Sequence, residues 1–476
     1  MTGADVHTSR VDLAARPHTS ATELAAALRR GDLGAEEITA TCLARIAALD
    51  PCFHAFITVD AEGALSAARA LDGLPASARG PLHGVPIAIK DLTDTAGLRT
   101  TYGSLAFADH VPEADDLIVA RLRRAGAVIV GKTNTPEFGF GAVCTNRLCG
   151  PTRNPWDIRL TSGGSSGGSA VAVATGMVSL AHGTDFGGSV RTPASFCGIA
   201  SLRPTPGALP SPTRVFGWDN LATAGFLATT VDDLRLALTI TAGPDLRDPL
   251  SLRDMTAEAT LAAPLRLAAS EDLGQAPVAQ AVRTAFRGAV EGIDPAVARV
   301  TNTHPDCGDA FDIFHVLRPA LIRHLLGPLA QHHGETLTPT VRWWIEHGEG
   351  IDAGAYLAAE AARTALYRRF IAQFDTCDAL LLPAASVLPW PNERADITEI
   401  DGIALATIAD YLAITYIVSL VGCPVVTLPA AMADGLPVGI QIVGAPGSDT
   451  RLLTIAERLE RSCGWQTRSP VDRNNR

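Results

Sequence analysis

Two short, continuously apolar runs flank a helical pattern early in the chain, and this alternation narrows the possible folds more than any other feature. PIAI at Pro86–Ile89 and AVIV at Ala127–Val130 have the length of buried strands, and DDLIVARLRRAG between them repeats its apolar residues at helical spacing until Gly126 closes it. Strand, helix, strand is the order of an α/β fold. Residues 169–177 then predict a helix of small residues, and VSLAHGT predicts a strand leading into the loop DFGGS. Near the end, DALLLPA, PVVTLPA and PVGIQIVG are further strand candidates, the last two joined by a turn holding Asp434 and Gly435, and Ser448 is expected to cap a final helix with Leu452, Ala456 and Leu459 inward. At the start, Ser20 and Glu23 form a capping box, and Ile38, Cys42, Ile46 and Leu49 mark a second helix that Pro51 ends. Between about 245 and 375 the chain reads as helical and more charged, without recognisable chemistry. No repeat, low-complexity tract or linker interrupts the chain, so residues 1–476 are expected to form one domain: core motifs at 80–210, a helical covering region at 245–375, and closing strands and a helix at 376–460.

Composition limits the partners. With 47% hydrophobic and 19% charged residues the chain is globular rather than disordered. A net charge of −11 without a basic cluster argues against nucleic acid and for a small-molecule substrate. Nine cysteines, scattered from Cys42 to Cys463 without zinc spacing, read as reduced core residues. The opening MTGADVHTSRVDLAARPHTS lacks a signal-peptide pattern, which points to the cytoplasm. The apolar stretch from Tyr411 to Met432 contains Gly422, Pro424 and Pro429 and suits a buried helix followed by a strand better than a membrane span.

Chemistry concentrates in two serine-bearing glycine loops, TSGGSSGGS at 161–169 and GTDFGGSVRTP at 183–193. Glycine admits backbone conformations that let a substrate carbonyl approach main-chain N–H groups, as an oxyanion hole requires. Together with GVPIAIKDLTDTAG at 84–97, these loops resemble the amidase signature family. GKTNTPEF at 131–138, GPTRNPWD at 150–157, FCGIASLRPTPG at 196–207 and GLPVGIQIVG at 435–444 extend the resemblance over most of the chain. It implies a single α/β/α domain with a mixed, mostly parallel, central sheet covered by helices. It also implies a serine hydrolase without metal or organic cofactor, with Ser189 as nucleophile, Ser165 as proton relay and Lys90 as base. Phe186, Gly187, Gly188 and Ser189 would supply the oxyanion hole, and the Gly164–Ser165 peptide bond would be cis, placing Ser165 Oγ near both Lys90 and Ser189.

The roles are chemically coherent, because a serine hydroxyl needs a base and no histidine sits in the three loops. A lysine serves only if its pKa falls far below about 10.4, and burial behind PIAI acts in that direction, although Asp91 and Asp94 stand close enough in sequence to oppose it. Asp185, Arg191 and Lys132 read as structural. The family implies an amide substrate, with carbamates, urethanes and esters also in range, and a homodimer is left open. Phe138, Phe140 and Gly141 fall where the family lines its acyl pocket and suggest an apolar, uncharged acyl group.

Three rival readings remain at this level. One is the A-type subunit of a glutamine-dependent amidotransferase, which shares the same serines. Another is an α/β-hydrolase in which Gly163–Gly167 is the G-x-S-x-G turn, Ser165 the nucleophile and His324 or His347 its partner. The third is a nucleotide-binding protein, since GAVIVGKT at 126–133 satisfies the P-loop formula, although its variable residues already read as a strand and Pro136 follows where the phosphate-binding helix belongs.

Overall fold

The computed structural model describes residues 18–251, 261, 263–467 and 470. The first seventeen residues, read above for a targeting signal, lie outside the described part.

Thirteen strands are present among the described residues: β1 (Phe56–Val59), β2 (Pro86–Lys90), β3 (Val128–Thr133), β4 (Leu180–Asp185), β5 (Ala200–Arg203), β6 (Thr223–Ala228), β7 (Leu265–Ala269), β8 (Ala298–Asn302), β9 (Ala379–Pro383), β10 (Glu399–Ile400), β11 (Ile403–Ala404), β12 (Val425–Ala433) and β13 (Leu436–Val443). β10 and β11 pair only with each other, and the other eleven form one sheet in the order β1-β3-β2-β4-β6-β5-β12-β13-β9-β7-β8. β3, β2 and β4 run parallel, as do β9, β7 and β8, whereas every other neighbouring pair in the sheet is antiparallel. The sheet is therefore mixed, as expected, but not mostly parallel. The reason lies in local connections such as the Asp434–Gly435 turn, whose positive φ values of 50° and 79° return β12 directly into antiparallel β13.

The sheet is buried on both faces. Along β9, Ala379 and Leu381 join one hydrophobic cluster while Leu380 and Leu382 join the other, the period-two alternation of a strand sandwiched between layers. Helices Gly167–Ala174 and Val231–Thr241 contribute to the first cluster, and helices Ala310–His333, Pro339–His347 and Ala353–Ala372 build the second. The stretch 245–375 thus covers the sheet, but it is not wholly helical: β7 and β8 lie within it and form one edge. β8 is mostly exposed, so its sequence ARVTN carries no run or alternation of apolar residues to announce a strand. The capping box at Ser20 and Glu23 is formed. The second helix, Ala35–Phe53, carries Pro51 in its last turn and ends two residues later than expected, while Ser448 precedes the final helix without capping it through its side chain.

Candidate active site

Three parallel strands end together at the site. β2 lies between β3 and β4, and its last residue, Lys90, stands at the carboxyl edge of the sheet, where open α/β sheets place their ligands. β4 finishes at Asp185, from which the loop 186–189 turns into helix Arg191–Cys197. The segment 162–166 crosses over this edge before helix Gly167–Ala174, and its Gly164–Ser165 peptide bond is cis. Ser166 N–H donates to the Ser189 carbonyl at 3.0 Å, so the two serine loops abut.

Lys90 is fully buried, and its Nζ lies 2.6 Å from Ser165 Oγ and 2.9 Å from both Ser166 Oγ and Thr184 Oγ1. Burial pushes its pKa down from 10.5 to about 7, only partly opposed by the negative charge of Asp185 and the thiol of Cys144. Asp91 and Asp94 do not face it. Asp91 accepts from the backbone and hydroxyl of Thr101, and Asp94 from the Tyr102 hydroxyl. A neutral lysine amine has two N–H donors and one lone pair. With Ser166 and Thr184 taking the donors, the lone pair is left for the Ser165 hydroxyl. Ser166 and Thr184 were not singled out in the sequence, although both sit inside the glycine-loop motifs beside assigned residues.

Ser189 is half-buried, and its hydroxyl has no hydrogen-bond partner among the described residues. Of the two contacts expected of Ser165 Oγ, the one to Lys90 is made and the one to Ser189 Oγ is not. Such bonds often tighten only when substrate is bound.

The loop 186–189 is held from below by a buried charge cluster. Asp185 receives both Arg191 Nη2 at 2.7 Å and Nε at 3.0 Å, with Arg203 at 3.4 Å and the backbone N–H of Gly188 and Val190 completing its shell. Burial alone would raise the Asp185 pKa, but the two guanidinium groups outweigh it and hold the carboxyl well below its usual range. The engagement of Gly188 N–H by Asp185 Oδ1 at 2.9 Å corrects one expectation: that donor is turned toward the carboxylate and is not free for an oxyanion. The N–H groups of Phe186, Gly187 and Ser189 have no such acceptor among the described residues. On the other side Thr415 Oγ1 donates to the Gly187 carbonyl at 2.6 Å, and Gly188, at φ +117°, leaves no space for a Cβ, which would stand 2.5 Å from that same hydroxyl.

Phe138, Phe140 and Gly141 are brought to the site. A Cβ on Gly164 would lie 2.5 Å from the Gly141 carbonyl, and one on Gly139 would lie 3.3 Å from Ser165 Oγ, so this loop rests directly on the serine segment. Phe138 packs edge-on against Phe107, whereas Phe140 lies beneath the guanidinium of Arg318 at 5.5 Å. The expected apolar wall therefore contains a cation that sequence reasoning missed, because it comes from a helix distant in the chain.

The rival constellations are not assembled. Only isolated bridges, not a strand, precede Gly163–Gly167. His324 packs on Phe216, and His347 stacks on Trp343 and bonds its carbonyl. Lys132 lies within β3, its amine bound to the Thr93 carbonyl, Thr95 Oγ1 and Thr100 Oγ1, and only a single 3₁₀ turn, Glu137–Gly139, follows.

A mixed sheet with this glycine-loop edge defines a class of α/β enzyme. The family model described as Amidase matches residues 37–453. The A-type subunit of glutamyl-tRNA(Gln) amidotransferase from Chloroflexus aurantiacus (strain ATCC 29366 / DSM 635 / J-10-fl) is 35% identical, the alignment covering 95% of this chain and 98% of that one. Among solved structures, a bacterial aryl acylamidase of the amidase signature enzymes superposes with a TM-score of 0.86 at 25% identity, covering 94% of this chain and 97% of that one. 6-Aminohexanoate cyclic dimer hydrolase superposes with a TM-score of 0.84 at 26% identity, covering 96% and 99%. The chain belongs to the amidase signature family. No helix of the described residues is long and apolar enough to cross a membrane.

Proposed function

We propose that this protein is an amidase that hydrolyses a C–N bond through an ester formed on Ser189. The observation that carries the reading is the 2.6 Å contact between Ser165 and a fully buried lysine whose pKa is brought to about 7, near the working pH of a base. Ser189 Oγ attacks the scissile carbonyl and passes its proton to Ser165, whose own proton goes to neutral Lys90. The developing oxyanion is received by the N–H groups of Phe186, Gly187 and Ser189. Collapse of the tetrahedral adduct breaks the C–N bond as Ser165 returns a proton from Lys90 to the leaving amine. Water then follows the same path to release the acid.

Reaction of the purified chain with a fluorophosphonate probe should label the peptide holding Ser189. Ser189→Ala should lose the label and lower kcat by roughly 10⁴-fold or more. Labelling of Ser165 in its place would refute the assignment. A second reading, transfer of ammonia from glutamine within a complex, is favoured by the relatives named as A-type subunits of glutamyl-tRNA(Gln) amidotransferase. A substrate panel of glutamine, aliphatic amides, anilides, aryl carbamates and esters separates the two.

A further inference from the structure

Five arginines are buried among the described residues: Arg121, Arg191, Arg203, Arg318 and Arg363. Four of them donate to carboxylates or to backbone carbonyls. Arg318, 6% exposed, is different: its Nε is buried without an acceptor, and no hydrogen bond or ion pair within the described residues engages its guanidinium. Aromatic faces surround it, with Trp344 at 4.4 Å, Phe186 at 4.7 Å, and Phe140 and Phe314 each at 5.5 Å. These rings compensate partly for lost hydration but offer no acceptor to a group carrying five N–H donors. Burial lowers its pKa to about 10, with only the Tyr411 phenol acting in opposition, so it stays charged at neutral pH. A buried, unpaired cation is a cost to the fold that calls for an explanation.

Its position supplies one. Helix Ala310–His333 carries the guanidinium against the proposed oxyanion loop, where Nη1 lies 3.2 Å from the point a Cβ on Gly187 would occupy. Phe186 of that loop and Phe140 of the loop covering Ser165 flank it. An anion bound there would lie beside the acyl group held on Ser189. The planar fork of a guanidinium matches a carboxylate in geometry as well as in charge.

We infer that Arg318 is a specificity-determining residue that receives a carboxylate on the acyl part of the substrate, making the preferred substrates half-amides of short dicarboxylic acids. The inference rests on acylation at Ser189 and replaces the uncharged acyl group suggested by Phe138 and Phe140. Glutamine carries such a carboxylate but also an ammonium group, and among the described residues no side-chain carboxylate acts on Arg318 to balance it. The deaminated half-amide should therefore be the better substrate.

The test compares glutaramate and succinamate with the neutral diamides glutaramide and succinamide, and with glutamine. In the wild type the kcat/KM ratio of half-acid to diamide should be about 100 or more, and in Arg318→Met it should collapse toward one, chiefly through KM. Arg318→Lys should keep part of the preference. The melting temperature of Arg318→Met should rise, whereas a merely structural arginine would lower it on removal. Calorimetric titration with glutarate reads binding without turnover: tenfold or greater weakening in Arg318→Met and an intermediate value in Arg318→Lys support the inference. Equal glutarate binding by wild type and both variants, or none by the wild type, overturns it. Fluorophosphonate labelling of Ser189 in the same preparations reports separately on the hydrolase reading.

Discussion

Replacing Lys90 by Met tests the electrostatics of the site through stability as well as rate. The wild-type amine is fully buried, and burial moves its pKa from 10.5 to about 7. At about 1.36 kcal/mol per pKa unit, carrying the charge in the folded state costs roughly 5 kcal/mol. The sign follows from proton uptake. Between the folded value near 7 and the unfolded value of 10.5 the unfolded chain binds the extra proton, so wild-type stability rises with pH across that window. Below it the penalty is complete, and above it the penalty is gone. Methionine removes the penalty but leaves Ser165, Ser166 and Thr184 without their shared amine partner, a loss of about 1 kcal/mol for each hydroxyl. Lys90→Met should therefore be the more stable protein by roughly 2 kcal/mol at about pH 6, equal to wild type near about pH 8, and the less stable above that. Urea unfolding followed by tryptophan fluorescence across this range measures the difference, in which the contribution of Lys132 cancels. The rate should fall severely, and wild-type kcat/KM should rise with pH through about 7. A stability difference that does not change with pH would refute a depressed lysine.

Asp185→Asn keeps the shape of the side chain but leaves Arg191 and Arg203 without their buried counter-charge, which should cost about 3–5 kcal/mol in urea unfolding. Because the folded carboxyl titrates well below 3.8, this difference should be complete above that value and shrink as pH falls through the acid range. Gly188→Ala places a methyl 2.5 Å from Thr415 Oγ1 at a φ of +117°. It should displace the proposed oxyanion loop and slow fluorophosphonate labelling of Ser189 by about tenfold or more, and an unchanged labelling rate would show that the loop position is not critical.

Much of the site was legible in the chain because its chemistry is carried by local backbone requirements. The glycines around Ser165 and Ser189 and the apolar strand ahead of Lys90 impose their geometry over a few residues, so the motifs announce themselves without tertiary information. The same holds for the capping box at Ser20 and Glu23 and for the β12–β13 turn at Asp434 and Gly435, where hydrogen bonding and allowed φ values are properties of neighbours in sequence. Edge strand β8 was not legible, because its side chains are mostly exposed and a strand is then defined by its partner rather than by its own pattern.

By itself, then, the sequence determined an α/β enzyme with three loops bearing Lys90, Ser165 and Ser189. Only tertiary structure decided how those groups are charged and surrounded. Electrostatic environment depends on residues far apart in the chain, and it is this that turns Asp91 away to Thr101, commits Gly188 N–H to Asp185 and brings the Thr415 hydroxyl to the Gly187 carbonyl of loop 186–189. The same packing sets Arg318, from a helix about 130 residues downstream, against Phe186 without a hydrogen-bond acceptor among the described residues.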